Sequence, residues 1–147
     1  DAEAPTEFHS LAYNKIKQVA IVSKSHPWGH RQSIHVTELV GERLIIREPG
    51  SEARRATEAT IAGSGVSPAA TIEIGSHEGA VAAVAQGVGV CFIFDAGMIP
   101  DNLVTKLSIR GADVVACVDV VCLAERKDSR IIGCFLEVAE QLLALRQ

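Results

Sequence analysis

Two stretches of this sequence repeat one device. Ile45-Ile46-Arg47-Glu48-Pro49-Gly50-Ser51 and Ile72-Glu73-Ile74-Gly75-Ser76-His77 each pass from strand-forming residues through glycine and serine directly into helix-forming sequence. Glycine permits the sharp turn, and serine offers a hydroxyl that caps the following helix. The first turn of such a helix leaves backbone N–H groups free and carries the positive end of the helix dipole, so it suits an anion. In open parallel sheets ligands sit outside the carboxyl ends of the strands, where both serines are expected. Arg47, at a strand exit, can grip a carboxylate or phosphonate with two hydrogen bonds; the competing expectation is an ion pair with Glu48, Glu52 or Glu73. His77, in the first turn after Ser76, can reach a ligand or sit solvated at the helix start. Arg47, Gly50, Ser51, Ser76 and His77 are therefore the candidate ligand-binding residues, although capping alone also accounts for both serines.

Other constellations are weak. The sequence has no GxSxG elbow, no Walker loop, no HExxH and no GxGxxG opening a helix. Gly63-Ser64-Gly65 and Gly87-Val88-Gly89 follow helical sequence and read as helix stops. Ser51 or Ser76 as a nucleophile lacks a His–carboxylate relay in sequence reach, so no catalytic residue is assigned. Cys91, Cys117, Cys122 and Cys134 form no CxxC pair, and three of them sit in apolar runs, where a cysteine packs as a small hydrophobe. They point to a reducing cytosol. His26 and His30 share a loop but have no cysteine or carboxylate at ligand spacing. Neither a metal nor a cofactor is expected.

The elements that must position these residues follow from apolar patterning. Val19-Ala20-Ile21-Val22 and Leu44-Ile45-Ile46 are short continuous apolar runs, as in strands buried on both faces. Ser23–Gly29 is a turn-rich loop, and Ile34–Val40 is expected to form a short helix stopped by Gly41. Ser51 opens a helix that runs to Gly63, Thr71–Ile74 is a strand, and His77–Gln86 is a helix closed by Gly87. Val88–Phe94 is a further strand, with Gly89 marking a close backbone approach. Val104–Ile109 and Val114–Leu123 are strand candidates. Ser129–Leu145 is an amphipathic helix with Ile132, Phe135, Val138, Ala139, Leu142 and Leu143 at helical spacing. Asp1–Thr6 reads as a frayed or linking segment. Strands alternating with helices specify an α/β fold with a mainly parallel sheet.

Composition agrees. The 147 residues are 48 % hydrophobic and only 4 % aromatic, enough apolar material for a core of small side chains. The net charge is −4 and the basic residues are scattered, apart from Arg43, Arg47, Arg54 and Arg55, so this chain is not expected to hold DNA by itself. The longest apolar stretch, Gly87–Phe94, is far short of the roughly 20 residues that cross a bilayer. No secretory signal pattern opens the sequence, and no membrane partner is expected.

The order of these features resembles the effector-binding domain of LysR-type transcriptional regulators. The matching segments are Val19–Val22 leading to Ser25-His26-Pro27-Trp28, then Glu38-Leu39-Val40-Gly41 before Leu44–Glu48, then Pro49-Gly50-Ser51 with Arg54-Arg55, Gly65-Val66-Ser67-Pro68, Glu73–Ser76 and Val84–Val90. The resemblance runs from about Phe8 to the C-terminus. Phe8-His9-Ser10-Leu11, His26-Pro27-Trp28 and Cys122-Leu123-Ala124-Glu125-Arg126 are similar to the branch associated with 2-aminoethylphosphonate catabolism.

The resemblance implies a periplasmic-binding-protein-like fold (type 2) of two α/β lobes with an effector cleft. Residues 1–14 would be a linking segment and the start of a lobe, 15–97 a nearly complete lobe, and 98–147 the C-terminal part of the other, whose first half is missing. It implies a small anionic effector (phosphonate, carboxylate or amino acid), a homodimer or higher homo-oligomer, and a cytoplasmic regulator that meets DNA only through a winged helix-turn-helix outside this chain. A solute-binding protein for a small anion, built on the same fold, is the alternative.

Overall fold

The computed structural model describes residues 7–96 and 102–145; the expected linking segment at 1–6 lies outside them. The chain divides into a compact unit, Ile16–Ala116, and a second unit formed by Asp1–Lys15 with Cys117–Gln147. The larger unit includes the strand Val104–Arg110, which pairs within its sheet.

That sheet contains β1 (Phe8–Ser23), β2 (Ser33–His35), β3 (Arg43–Ile46), β4 (Ala70–Glu73), β5 (Val90–Phe94) and β6 (Val104–Arg110), in the order β2-β6-β1-β5-β3-β4. β3 runs parallel to both β4 and β5, and β2 parallel to β6, but β1 is antiparallel to β5 and β6. Five of these six strands thus run the same way and β1 alone opposes them, so the sheet is mainly parallel, as expected, with one antiparallel strand at its centre. Strand direction was invisible in Val19–Val22, since a strand covered on both faces reads as a continuous apolar run whichever way it points.

Helix α1 (Glu52–Ser64) connects β3 to β4, and α2 (His77–Ala85) connects β4 to β5. β4 and β5 flank β3 on opposite sides, so two right-handed crossovers must place their helices on opposite faces. The core divides accordingly. Ala20, Val22, Leu44 and Phe92 pack on one face with Ile61 of α1, whereas Ile21, Ile45, Cys91 and Ile93 pack on the other with Ala80, Val81 and Val84 of α2. Odd and even strand positions separate between the two cores, as period-two alternation requires. At Gly89 a methyl group would collide with the Arg43 carbonyl, so the close approach expected there is real.

One buried polar residue joins the α1 face. Gln18 shares that side of β1 with Ala20 and Val22, and its Nε2 donates to Thr57 Oγ1 at 3.0 Å and to the Ala53 carbonyl at 3.4 Å. The Thr60 hydroxyl donates back to Gln18 Oε1 at 3.5 Å. Gln18→Leu leaves the Thr60 hydroxyl without its acceptor and takes a donor from Thr57, whose hydroxyl keeps its own 2.7 Å bond to the Ala53 carbonyl. It is expected to lower stability by about 1–3 kcal/mol, read as a lower urea midpoint with an unchanged slope.

The short helix expected over Ile34–Val40 is instead β2 followed by a single 3₁₀ turn, Val36–Leu39. Ile34, Val36 and Leu39 are all buried, so tertiary packing and the pairing with β6 decide the local conformation. Glu38 organises the turn. It accepts both ends of the Arg31 guanidinium at 2.8 Å and the His35 backbone N–H at 2.8 Å. Arg31 first, then that N–H, hold the Glu38 carboxyl at about 2, against an ordinary value of 4.5. A depressed carboxyl adds stability that is fully present above pH 4.5 and disappears as the pH falls toward 2. Glu38→Gln is expected to flatten the unfolding midpoint across that window and to leave its pH dependence above it unchanged.

In the second unit the start of β1 pairs with β7 (Val115–Leu123). Ser10 Oγ donates to Asp119 Oδ2 at 3.1 Å, and the Ala124 N–H donates to the Glu7 carbonyl at 2.8 Å. Helix α3 (Arg130–Ala144) carries the expected apolar stripe, and Ile132, Phe135 and Leu136 border a groove with Val120–Cys122. Within that stripe Ala139 is buried, while Phe135, Val138 and Leu142 remain exposed.

Candidate functional site

The two glycine–serine junctions leave the sheet side by side. β3 and β4 are neighbours with Ile46 opposite Glu73, and the Ile74 N–H donates to the Ile46 carbonyl at 2.9 Å. After β3 the chain turns through Gly50, whose φ of 89° lies in the left-handed region that favours glycine. Ser51 then stands at the N-cap of α1 in extended conformation, with no side-chain cap bond. After β4, Ser76 caps α2: its Oγ accepts the Gly79 N–H at 3.0 Å.

A cavity of about 350 Å³ opens at the carboxyl ends of β3 and β5. Arg47 follows β3, while Ile93 and Phe94 end β5. Ala53 comes from the first turn of α1, His77 and Glu78 from the first turn of α2, and Ile16 and Ala96 complete the lining. Both helix beginnings therefore contribute to one hollow, beside a guanidinium and an imidazole. Two of the five residues expected from sequence, Arg47 and His77, meet there. Gly50 and Ser51 line a neighbouring hollow of about 340 Å³ with Pro49, Arg54, Arg55 and Glu58, and Ser76 lines neither.

Arg47 is the charged centre of the cavity, and its side chain is only 17 % exposed. Its Nε and Nη2 donate to the two Glu48 oxygens at 2.8 and 2.9 Å, which realises the ion pair weighed as the competing expectation. Arg47, with a backbone hydrogen bond, holds the Glu48 carboxyl below the ordinary carboxylate range. The surrounding basic residues are also neutralised. Arg54 pairs with Glu58 at 2.7 Å and Glu73 at 2.6 Å and donates to the Arg47 carbonyl at 3.1 Å; Arg55 pairs with Glu52. Three members of the basic cluster read in the sequence, Arg47, Arg54 and Arg55, thus form ion pairs that brace the β3–α1 junction, whereas Arg43, at the start of β3, donates to the Gly87 carbonyl at 3.5 Å.

Burial pushes the Cys91 thiol up to about 12, against a smaller opposing pull from Arg47, so this cysteine is an unreactive part of the α2-side core. Cys117 and Cys134, expected to pack, are exposed, and Cys122 is half-buried. In the His26 loop, Nδ1 accepts the Trp28 N–H at 3.1 Å and Nε2 lies 3.5 Å from Glu42, while the Trp28 ring is buried in the α1-side core. No group of three metal-ligating side chains comes together among the described residues, nor is any described helix long and apolar enough to cross a membrane.

Sequence reasoning found Arg47 and His77 and missed both Glu78 and the cavity's walls. Ile16, Ala53, Ile93, Phe94 and Ala96 look like any core residues in sequence; the one usable signal was that Phe94 ends an apolar strand at the ligand-bearing edge of the sheet.

Comparison with known proteins places this geometry. Residues 2–144 match the model of the LysR substrate binding domain. The HTH-type transcriptional regulator CbbR of Xanthobacter flavus is 31 % identical over 102 residues, which are 66 % of this chain and 31 % of that protein. The chain thus spans about a third of the length of that curated relative. The regulatory domain of CcmR from Synechocystis PCC6803, solved in complex with 2-PG, superposes with a TM-score of 0.81 at 25 % identity, over 96 % of this chain and 70 % of that one. The effector binding domain of QuiR in complex with shikimate has the same fold, with a TM-score of 0.80 at 17 % identity, over 98 % and 69 %. The fold is that of the type 2 periplasmic-binding-protein-like domains, and the chain belongs to the LysR substrate-binding domain family.

Proposed function

We propose that this chain is the effector-sensing part of a cytoplasmic LysR-type transcriptional regulator, and that the Arg47 cavity takes a small anionic metabolite. The observation that carries this reading is the convergence of two helix N-termini and one guanidinium on a single hollow at the carboxyl ends of β3 and β5. Backbone N–H groups and Arg47 would hold the anion, with His77 as a further contact. Ile16, Ala53, Ile93 and Phe94 would take the apolar body of the ligand. In the whole regulator, working as a homodimer or higher homo-oligomer, the anion would favour one state of the domain and so alter how a separate winged helix-turn-helix holds DNA.

Phosphonates, carboxylates and amino acids all suit such a site. 2-Aminoethylphosphonate comes first because Phe8–Leu11, His26–Trp28 and Cys122–Arg126 are similar to that branch. A regulator is preferred over a solute-binding protein because the family match is to the regulators' domain. Nucleophilic catalysis by Ser76 has no support, since its hydroxyl accepts the Gly79 N–H as a cap.

Titration calorimetry of this chain with 2-aminoethylphosphonate, shikimate and benzoate tests the reading. Saturable binding of at least one, with a melting temperature that climbs with its concentration, is the expected result. Failure of all three to bind at tens of millimolar would remove the anion site.

A further inference from the structure

The arrangement around Arg47 carries one step more, which rests on reading its cavity as an anion site. We propose that Glu48 is a resident competitor for that site: its carboxylate occupies the Arg47 fork, and an anionic ligand binds by displacing it.

Geometry supports the exchange in three ways. The two hydrogen bonds of 2.8 and 2.9 Å from Nε and Nη2 to the two Glu48 oxygens are the side-on pairing that a ligand carboxylate or phosphonate would use. Consecutive residues of a strand point to opposite faces, so this pair can form only because β3 has ended at Ile46 and the chain is already turning toward Gly50. The contact belongs to the same junction that builds the cavity.

The partners also differ in freedom. The Arg47 side chain is 17 % exposed and lines the cavity, whereas that of Glu48 is 38 % exposed and does not. Glu48 can therefore swing into water without disturbing the cavity wall, leaving the guanidinium in place. Of the neighbouring acids, Glu52 is engaged with Arg55, and Glu58 and Glu73 with Arg54, whereas Glu78 lines the cavity itself. Release of Glu48 would not draw a second carboxylate from these ion pairs.

Two properties follow. The site discriminates by hydrogen-bond geometry, since an ion that offers one acceptor does not repay the loss of a two-point contact. It also sets a concentration threshold, because weak anions must first outcompete a carboxylate held at fixed proximity. A ligand with two oxygens on one planar or tetrahedral head, and a body small enough for about 350 Å³, satisfies both.

Calorimetric titration of benzoate and 2-aminoethylphosphonate into the parent chain, Glu48→Gln and Arg47→Gln tests this. Circular dichroism checks each fold, and the ¹⁵N-detected Arg47 Nε–H resonance reports the exchange directly. Glu48→Gln should bind the better probe roughly three- to tenfold more tightly than the parent, because a charged competitor and its like-charge repulsion are both removed. Glu48→Asp, which keeps the charge and shortens the reach, should fall between them and covers the case of a misfolded Gln variant. Arg47→Gln should lose the probe. Equal or weaker binding by Glu48→Gln, with Arg47→Gln still defective, overturns the competitor and leaves the anion site standing. Unchanged affinity in Arg47→Gln, or no saturable binding by any of the proteins, overturns both.

Discussion

Arg47→Ala is expected to weaken anion binding roughly thirtyfold or more while the chain still folds. Truncating one member of a desolvated, two-point charge contact in a binding site costs about 2–5 kcal/mol, and each 1.4 kcal/mol is about a factor of ten. Two contributions act together here. The ligand loses both guanidinium hydrogen bonds, and Glu48, now without its partner, leaves an uncompensated negative charge beside the cavity. Stability should change far less, because no other side chain in the two cores depends on this guanidinium. Calorimetry on the probe that binds the parent, with a melting curve on the same sample, separates the outcomes. Parent-like affinity would dismiss Arg47 from the site; collapse of the melting transition would recast it as structural.

Phe92→Ala should produce the largest loss of stability from a single core truncation, about 3–5 kcal/mol. Phe92 is the largest of the fully buried side chains, and it packs in the α1-side core with Ala20, Trp28, Leu44 and Leu107. Those neighbours come from three different strands and the His26 loop, so the space cannot close by a shift of one element. The damage should reach the cavity as well, because Ile93 and Phe94 on the same strand form part of its wall. Chemical denaturation should show an earlier midpoint with weakened probe binding near it. A loss below about 1 kcal/mol would mean the core rearranges freely around the gap.

The sequence exposed the scaffold better than the pocket, for physical reasons. Ser51 and Ser76 mark helix beginnings because a cap has a local chemical signature, and Leu44–Ile46 and Val90–Phe94 mark buried strands because nothing polar survives between two covered faces. Ile34–Val40 misled because its apolar spacing suits a helical turn as well as a strand edge, and only pairing with β6 decides between them. β1 showed itself only where it is buried; its exposed first half, from Phe8, carried no comparable signal. At the site, Arg47 and His77 announced their chemistry, yet which residues share a hollow depends on crossover geometry. The helix starts on opposite faces bring Ala53 and His77 to one opening while Ser51 turns to another. Gln18 is the clearest omission, since a glutamine gives no hint in sequence that two threonines far along the chain will answer it.

β1 also sets how the larger unit must be assembled in time. Its closing segment lies between β5 and β6, both synthesised much later, so one edge has no partner until the chain has been made through Phe94 and the other waits for Arg110. Contacts between segments so distant in sequence pay their loop-closure entropy before they gain any pairing, which slows the search for the native state. A nascent chain halted after α2 therefore holds a βαβα fragment beside an unzipped apolar ribbon. Refolding from denaturant should be governed by the moment at which that ribbon is captured from both sides, and that interval is when the polypeptide most needs shelter from aggregation.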